Sequence, residues 1–193
     1  QAILEKAGYP CGRITTIDYA IKDKLIAASN TTPAAGILQK LFSDMVNEGL
    51  KYCVMEVSSQ ALHQERANSV TFHCAIFTNL SKEHMDYHIT IDEYFLCKKR
   101  LFDQLKNNDY AFVNIDDTYG QKLKSLIKSK MISYGFNKMA DVKAEKEEIA
   151  IDGSSFLLIT PKAKIAVRTP LVGKYNIYNI LAAASFALNE GID

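Results

Sequence analysis

Tyr52-Cys-Val-Met-Glu-Val57 is short, apolar and β-branched enough to read as a buried strand, and it decides the fold class because the pattern recurs. Cys74-Ala-Ile-Phe-Thr78 and Tyr110-Ala-Phe-Val-Asn114 repeat it. Before the first strand, Ile37, Leu38, Leu41, Phe42 and Met45 stand at helical spacing between Pro33 and Gly49, an opening and a closing signal. Ile91 to Leu105 and Tyr119 to Lys130 read as amphipathic helices between strands. This alternation predicts an α/β fold: a mostly parallel central sheet flanked by helices. From Asp141 the texture changes. Glu148-Ile-Ala-Ile-Asp-Gly153, Phe156-Leu-Leu-Ile-Thr-Pro161 and Lys164-Ile-Ala-Val-Arg-Thr-Pro170 are strands joined by short turns, predicting an antiparallel subsheet over about 141–170. An Ala- and Leu-rich helix, Asn176 to Asn189, then closes at Gly191.

With 193 residues and 48% hydrophobic content, one main domain with a sizeable core is the expectation. Lys and Arg number 23 against 22 Asp and Glu, a formal charge of +1, which excludes a bulk electrostatic footprint for nucleic acid or an anionic membrane. Partners must be recognised by local sites. Cys11, Cys53, Cys74 and Cys97 stand far apart without a C-x-x-C pair, fitting neither a zinc cage nor a disulfide framework and pointing to a reducing cytoplasm. No apolar run approaches the ~18 residues of a membrane span, and the opening Gln1 to Pro10 lacks the regions of a signal peptide. A soluble, cytoplasmic monomer is expected. The opening reads as the later part of a helix closing at Gly8, and with no initiating Met it is expected to be a cut edge.

Within Ser29-Asn-Thr-Thr-Pro33, Asn30, Thr31 and Thr32 set three hydrogen-bonding side chains before a helix N-terminus, either to cap that helix or to hold an anionic or sugar-phosphate ligand. Glu56 closes an otherwise apolar strand, where open α/β sheets bind ligands, and is a metal-ligand or acid–base candidate. Ser58, Gln64 and Arg66 follow it on a descending loop, and an Arg suits bidentate capture of carboxylate or phosphate. Asn79, His84, Asp86 and His88 follow the next strand and are expected on the same rim. Lys98 lies one helical turn after Tyr94; sequence physics alone makes it a solvated lysine whose stem follows the core edge. Asn176 and Asn179, three apart after Gly173, face one side of the last helix, as N-cap chemistry or for the edge of an adenine. None of the nine glycines completes G-x-x-x-x-G-K-[ST], so this chain carries no phosphate-cradling loop.

In order, Asn30-Thr-Thr-Pro33, Glu56-Val-Ser-Ser59, Gln64-x-Arg66, Thr78-Asn-Leu80, His84-Met-Asp-Tyr-His88, Tyr94 to Lys98, Asn114-Ile-Asp-Asp117 and Gly173-x-x-Asn176-x-x-Asn179 resemble the muramyl-peptide ligases over essentially the whole chain. Within that family they resemble the branch that adds a third residue, diaminopimelate or lysine. The resemblance implies a central domain, 1–193, with the N-terminal domain, phosphate loop and C-terminal domain lying outside it. It implies that Asn30, Thr31, Thr32, Ser58, Gln64 and Arg66 hold UDP-N-acetylmuramoyl-L-alanyl-D-glutamate. Glu56, His84 and Lys98 are implied magnesium ligands, Lys98 as an N-carboxylated side chain, with Lys98 and His84 catalytic. Asn176 and Asn179 are implied contacts of ATP. The implied reaction is ATP-driven amide formation through an acyl phosphate, in peptidoglycan synthesis and so in cell-wall growth, cell shape and division. Gln60 stands where many relatives have His, and Glu83 where Asp is usual. A chain of this extent is expected not to turn over ATP by itself. Two other readings are carried: a folylpolyglutamate synthetase-like ligase, expected to lack Asn-Thr-Thr-Pro and the Gln64-x-Arg66 spacing, and a non-catalytic nucleotide-sugar-binding module.

Overall fold

The computed structural model describes residues 1–83 and 85–192. The chain divides into two compact units, one formed by Gln1–Thr71 with Met85–Arg100 and the other by the remainder.

The first unit begins with α1 (Ala2–Lys6), then β1 (Cys11–Ile14), β2 (Asp18–Ile21), β3 (Lys24–Ala27), α2 (Ala35–Asn47), β4 (Tyr52–Met55) and α3 (Ser59–His63). Most of α4 (Ile91–Asp103) also belongs to it. Its sheet runs β3-β2-β1-β4. A two-residue turn, with Lys22 at φ +51, joins β2 to β3, so these strands and β1 pair antiparallel. β4 lies parallel to β1, Ile14 opposite Met55, because α2 carries the chain back before β4 starts. Leu38, Leu41 and Met45 on one stripe of α2 meet Ile14, Tyr19 and Ile21 of the sheet, which is the apolar face the helical spacing predicts. Gly49, at φ +75, ends that helix.

The second unit contains β5 (Cys74–Phe77), β6 (Tyr110–Asn114), α5 (Thr118–Lys124), β7 (Lys130–Gly135), β8 (Val142–Ala150), β9 (Gly153–Ile159), β10 (Lys164–Thr169) and α6 (Lys174–Asn189). Its six strands run β10-β9-β8-β7-β6-β5. β5 to β8 pair parallel, and β8, β9 and β10 pair antiparallel. The expected antiparallel subsheet is thus an extension of the parallel ladder. Ile177, Leu181 and Ala182 of α6 pack on Phe112, Tyr134, Val142, Ala144, Phe156 and Leu158, a cluster drawn from four successive strands.

Several expectations need correction. The strands expected in one central sheet fall into two, β4 in the first and β5 in the second. The helix expected over Tyr119 to Lys130 ends at Lys124, where Leu126 and Ile127 both turn their amides onto the Leu123 carbonyl; β7 begins at Lys130. The loop expected after Glu56 contains α3, capped by the Ser58 hydroxyl, which accepts from the Ala61 amide. Among the described residues no helix is long and apolar enough to cross a membrane. All four cysteines are free thiols, and burial pushes Cys53 and Cys74 up to about 12.

Candidate functional site

In the first unit β1, β3 and β4 run in one direction, so their carboxyl ends share one edge of the sheet. That edge gathers the residues singled out in the sequence. The Glu56 amide continues the β1–β4 ladder to the Ile14 carbonyl at 2.9 Å, which brings the Glu56 side chain beside the turn that follows β1. There Oε2 accepts from the Thr16 amide at 3.0 Å and its hydroxyl at 2.6 Å. Thr16 also pairs with the Thr31 hydroxyl at 3.1 Å. The Tyr19 hydroxyl donates to the Asn30 carbonyl at 2.6 Å and pins the next residue back. Sequence spacing could not reveal Thr16 or Tyr19, since both reach the site through strand register.

Thr32 corrects the capping alternative. The helix α2 has Ala34 at its N-cap and no side-chain cap. Fully buried, Thr32 instead donates its hydroxyl to the Glu56 carbonyl at 2.8 Å and accepts from the Ser58 amide at 3.0 Å. It bolts the Asn30-Thr-Thr-Pro33 turn onto the end of β4. Three consecutive residues therefore do separate work: Asn30 keeps an exposed side chain, Thr31 faces Thr16, and Thr32 is structural support.

At the far end of α3, Glu65 takes φ +58, a left-handed conformation normally left to glycine at a helix end. The Glu65 amide returns to the Leu62 carbonyl and that of Arg66 to Ala61. This reversal explains the Gln64-x-Arg66 spacing, because it folds Arg66 back beside Gln64. Arg66 donates through Nε to Gln64 Oε1 at 2.9 Å and through Nη2 to the same oxygen, while Nη1 donates to the Thr32 carbonyl at 2.9 Å. Thr31, Thr32, Glu56, Ser58, Gln64 and Arg66 thus form one connected hydrogen-bonded edge, with Asn30 held beside Thr31 by Tyr19.

His88, expected on the open rim, is buried: its ring stacks on Tyr94 with centroids 4.9 Å apart and its Nε2 lies 2.9 Å from the Ser59 hydroxyl. Asp86 is exposed. Lys98 is half-buried on α4, its Nζ 5.1 Å from the centroid of the Tyr94 ring, one turn earlier, so its stem lies against a core aromatic as expected. His84 lies outside the described residues. Among the described residues no three His, Cys, Asp or Glu side chains gather to hold a metal ion. The donor set implied for magnesium is hard oxygen from Glu56 and from an N-carboxylated Lys98, with one imidazole, which suits that ion in kind.

The second unit holds a separate cavity of about 300 Å³ at the carboxyl ends of β5 and β6, lined by Thr78, Asn79, Asn114, Asp116, Asp117, Tyr175, Tyr178 and Asn179. Its floor is a rigid turn. Asn114 Nδ2 donates to the Thr78 carbonyl and its Oδ1 accepts from the Asp116 amide. Asp117 caps α5 through the amides of Tyr119 and Gly120 and also accepts from Leu80. Gly120 is required there: a Cβ would stand 1.9 Å from the Asn114 carbonyl oxygen. Asp116 accepts from the amides of Phe136 and Asn137 and from the Tyr178 hydroxyl at 2.9 Å. Burial first, then that bond to Asp116, pushes the Tyr178 phenol up. Asn179 lines the cavity. Asn176 does not; its Nδ2 turns back to the Val172 carbonyl at 2.9 Å.

Residues 1–187 match the family described as the Mur ligase middle domain. The chain is 45% identical over 192 residues to a UDP-N-acetylmuramoyl-L-alanyl-D-glutamate--2,6-diaminopimelate ligase of Clostridium botulinum, covering 100% of this chain and 39% of that protein. It is 41% identical over 197 positions to the protein of the same description in Geobacillus kaustophilus, covering 99% of this chain and 40% of that one. A solved structure of that description superposes with a TM-score of 0.89 at 28% identity, over 100% of this chain and 40% of the other. The chain therefore spans about 40% of the length of the relatives it matches.

Proposed function

Because the chain belongs to the Mur ligase family and carries its middle domain, we propose that it is the acceptor- and nucleotide-binding part of an ATP-dependent ligase that adds diaminopimelate to UDP-N-acetylmuramoyl-L-alanyl-D-glutamate. The observation that carries this reading is the hydrogen-bonded edge joining Thr31 and Thr32 to Glu56, Ser58, Gln64 and Arg66, with Asn30 held beside Thr31 by Tyr19. Such an edge, with exposed amide groups and a guanidinium beside parallel strand ends, suits a ligand bearing sugar, phosphate and carboxylate groups. The relatives are named for that acceptor and that amino acid, which favours diaminopimelate over lysine.

In the proposed reaction the D-glutamyl γ-carboxylate attacks the γ-phosphorus of ATP and ADP leaves. The amine of diaminopimelate then attacks the acyl carbon, phosphate leaves, and the nitrogen loses a proton. Arg66 and Gln64, paired with each other, would hold the acceptor; Thr16 holds the Glu56 carboxylate in place; and Asn179, which lines the second unit's cavity, would contact the adenine. Glu56, His84 and an N-carboxylated Lys98 would hold a magnesium ion, which would supply neutralisation of phosphate charge. The setting is cytoplasmic peptidoglycan synthesis, and hence cell growth and division.

The test uses the full-length protein. ADP release should require both UDP-N-acetylmuramoyl-L-alanyl-D-glutamate and diaminopimelate, cease with a magnesium chelator, and not occur with a pteroylglutamate acceptor. Lys98→Ala should nearly abolish ligation, added bicarbonate should restore nothing, and a short carboxylate in solution should restore part. Normal turnover by Lys98→Ala rejects the metal-site assignment; turnover on the folate acceptor rejects the acceptor assignment.

A further inference from the structure

We propose that Tyr87 is a positioning residue of the acceptor-binding edge: its hydroxyl sets the orientation of the Gln64 amide and, through it, the Arg66 fork. This rests on the acceptor assignment above. A glutamine amide has two near-isosteric orientations that exchange donor for acceptor. Arg66 offers donors only, so the pair forms only when Oε1 faces the guanidinium, as it does here. The Nε2 end then donates to Tyr87 Oη at 3.3 Å. The same oxygen lies 2.8 Å from His63 Nδ1, with the two rings edge to face at 5.6 Å, so the phenol is held by two residues of one helix end.

The Tyr87 position is fixed from its other side as well. His88 is buried, bonded to Ser59 and stacked on Tyr94. Ser59 and His63 stand four apart on one face of α3, about 6 Å along its axis. Tyr87 and His88, neighbours in sequence, meet the two ends of that face. This pair of residues therefore clamps α3 lengthwise. Tyr87 is nonetheless 37% exposed and Gln64 is exposed, so a bound ligand can reach the pair.

A clamp that merely joined a loop to a helix would alter stability without distinguishing one substrate from another. In the full-length ligase, Tyr87→Phe should raise KM for UDP-N-acetylmuramoyl-L-alanyl-D-glutamate about five-fold, the worth of one hydrogen bond, with kcat and KM for ATP unchanged. In a Gln64→Ala background the same substitution should add nothing, because the orientation it controls is gone. An unchanged acceptor KM in Tyr87→Phe overturns the proposal, as does an equal rise with and without Gln64. A lower melting point with no KM split also overturns it, leaving a structural clamp. A parent enzyme that does not ligate this acceptor rejects the functional reading and this proposal with it; a normal parent with an unaffected Tyr87→Phe rejects the proposal alone.

Discussion

Replacing Thr32 by valine removes one oxygen and almost no volume, so its effect measures the bridge between the Asn30-Thr-Thr-Pro33 turn and the end of β4. The hydroxyl serves two backbone groups, the Glu56 carbonyl at 2.8 Å and the Ser58 amide at 3.0 Å, from a fully buried side chain. A buried group left without its partner costs about 1–3 kcal/mol. Glu56 is exposed and Ser58 half-buried, so nearby solvent softens the loss at their backbone groups and the low end applies, about 2–3 kcal/mol for the two. Thr32→Ser keeps both bonds and loses one buried methyl, about 1 kcal/mol. For a unit of fewer than a hundred residues, each kcal/mol shifts the melting point by about 4–8 °C. Thr32→Val should therefore melt about 10 °C or more below the parent, and Thr32→Ser about 5 °C below. Circular dichroism on this chain reads the order, and hydrogen exchange at the Ser58 amide reads its cause. A Thr32→Val protein as stable as Thr32→Ser, or an unchanged Ser58 amide, refutes the bridge.

Glu65→Gly should raise stability slightly, by about 0.5 kcal/mol, because relief at φ +58 exceeds the added freedom of the unfolded chain; urea midpoints check it, and Glu65→Val should be clearly destabilising. The Arg13 guanidinium, hydrogen-bonded at 2.7 Å, holds the Asp18 carboxyl below its ordinary value, so its contribution is complete above about pH 4 and lost as pH falls through the depressed value. Parent and Asp18→Asn should differ in urea midpoint at neutral pH, the gap closing as pH falls through the depressed Asp18 value; a constant gap refutes the pairing. Without a phosphate-cradling loop in its 193 residues, this chain should give no low-micromolar ATP isotherm by calorimetry; such an affinity would refute the need for that loop.

Strands β4, β5 and β6 were legible because each is an apolar run, and α2, α4 and α6 because their stripes repeat at helical spacing. β1 to β3 carry no comparable signal: four residues each, with Gly12 and Arg13 inside one and an exposed edge in another. β7 was masked by the Lys-rich segment before it, which continues the amphipathic spacing of α5 after that helix has ended. Sequence also cannot show which strands share a ladder, and the single sheet became two for that reason. The candidate edge was legible as a list of residues, since polar groups closing apolar strands announce themselves. Its wiring was not. Thr32 as a bridge, Thr16 on Glu56 and Tyr87 on Gln64 connect residues 24, 40 and 23 apart, across contacts that only the folded register creates.

The order in which α6 packs has a consequence for synthesis on the ribosome. The hairpins from β8 to β10 join neighbours in sequence and can form as they emerge, yet β8 meets β7 at only two register pairs, Tyr134 with Val142 and Gly135 with Lys143. The apolar faces of Phe112, Tyr134 and Phe156 are covered by Ile177, Leu181 and Ala182, which are translated after all of those strands. Until the nascent chain has released α6, the second unit exposes a sticky, half-assembled sheet, so chaperone demand and vulnerability to proteases should be concentrated in that interval.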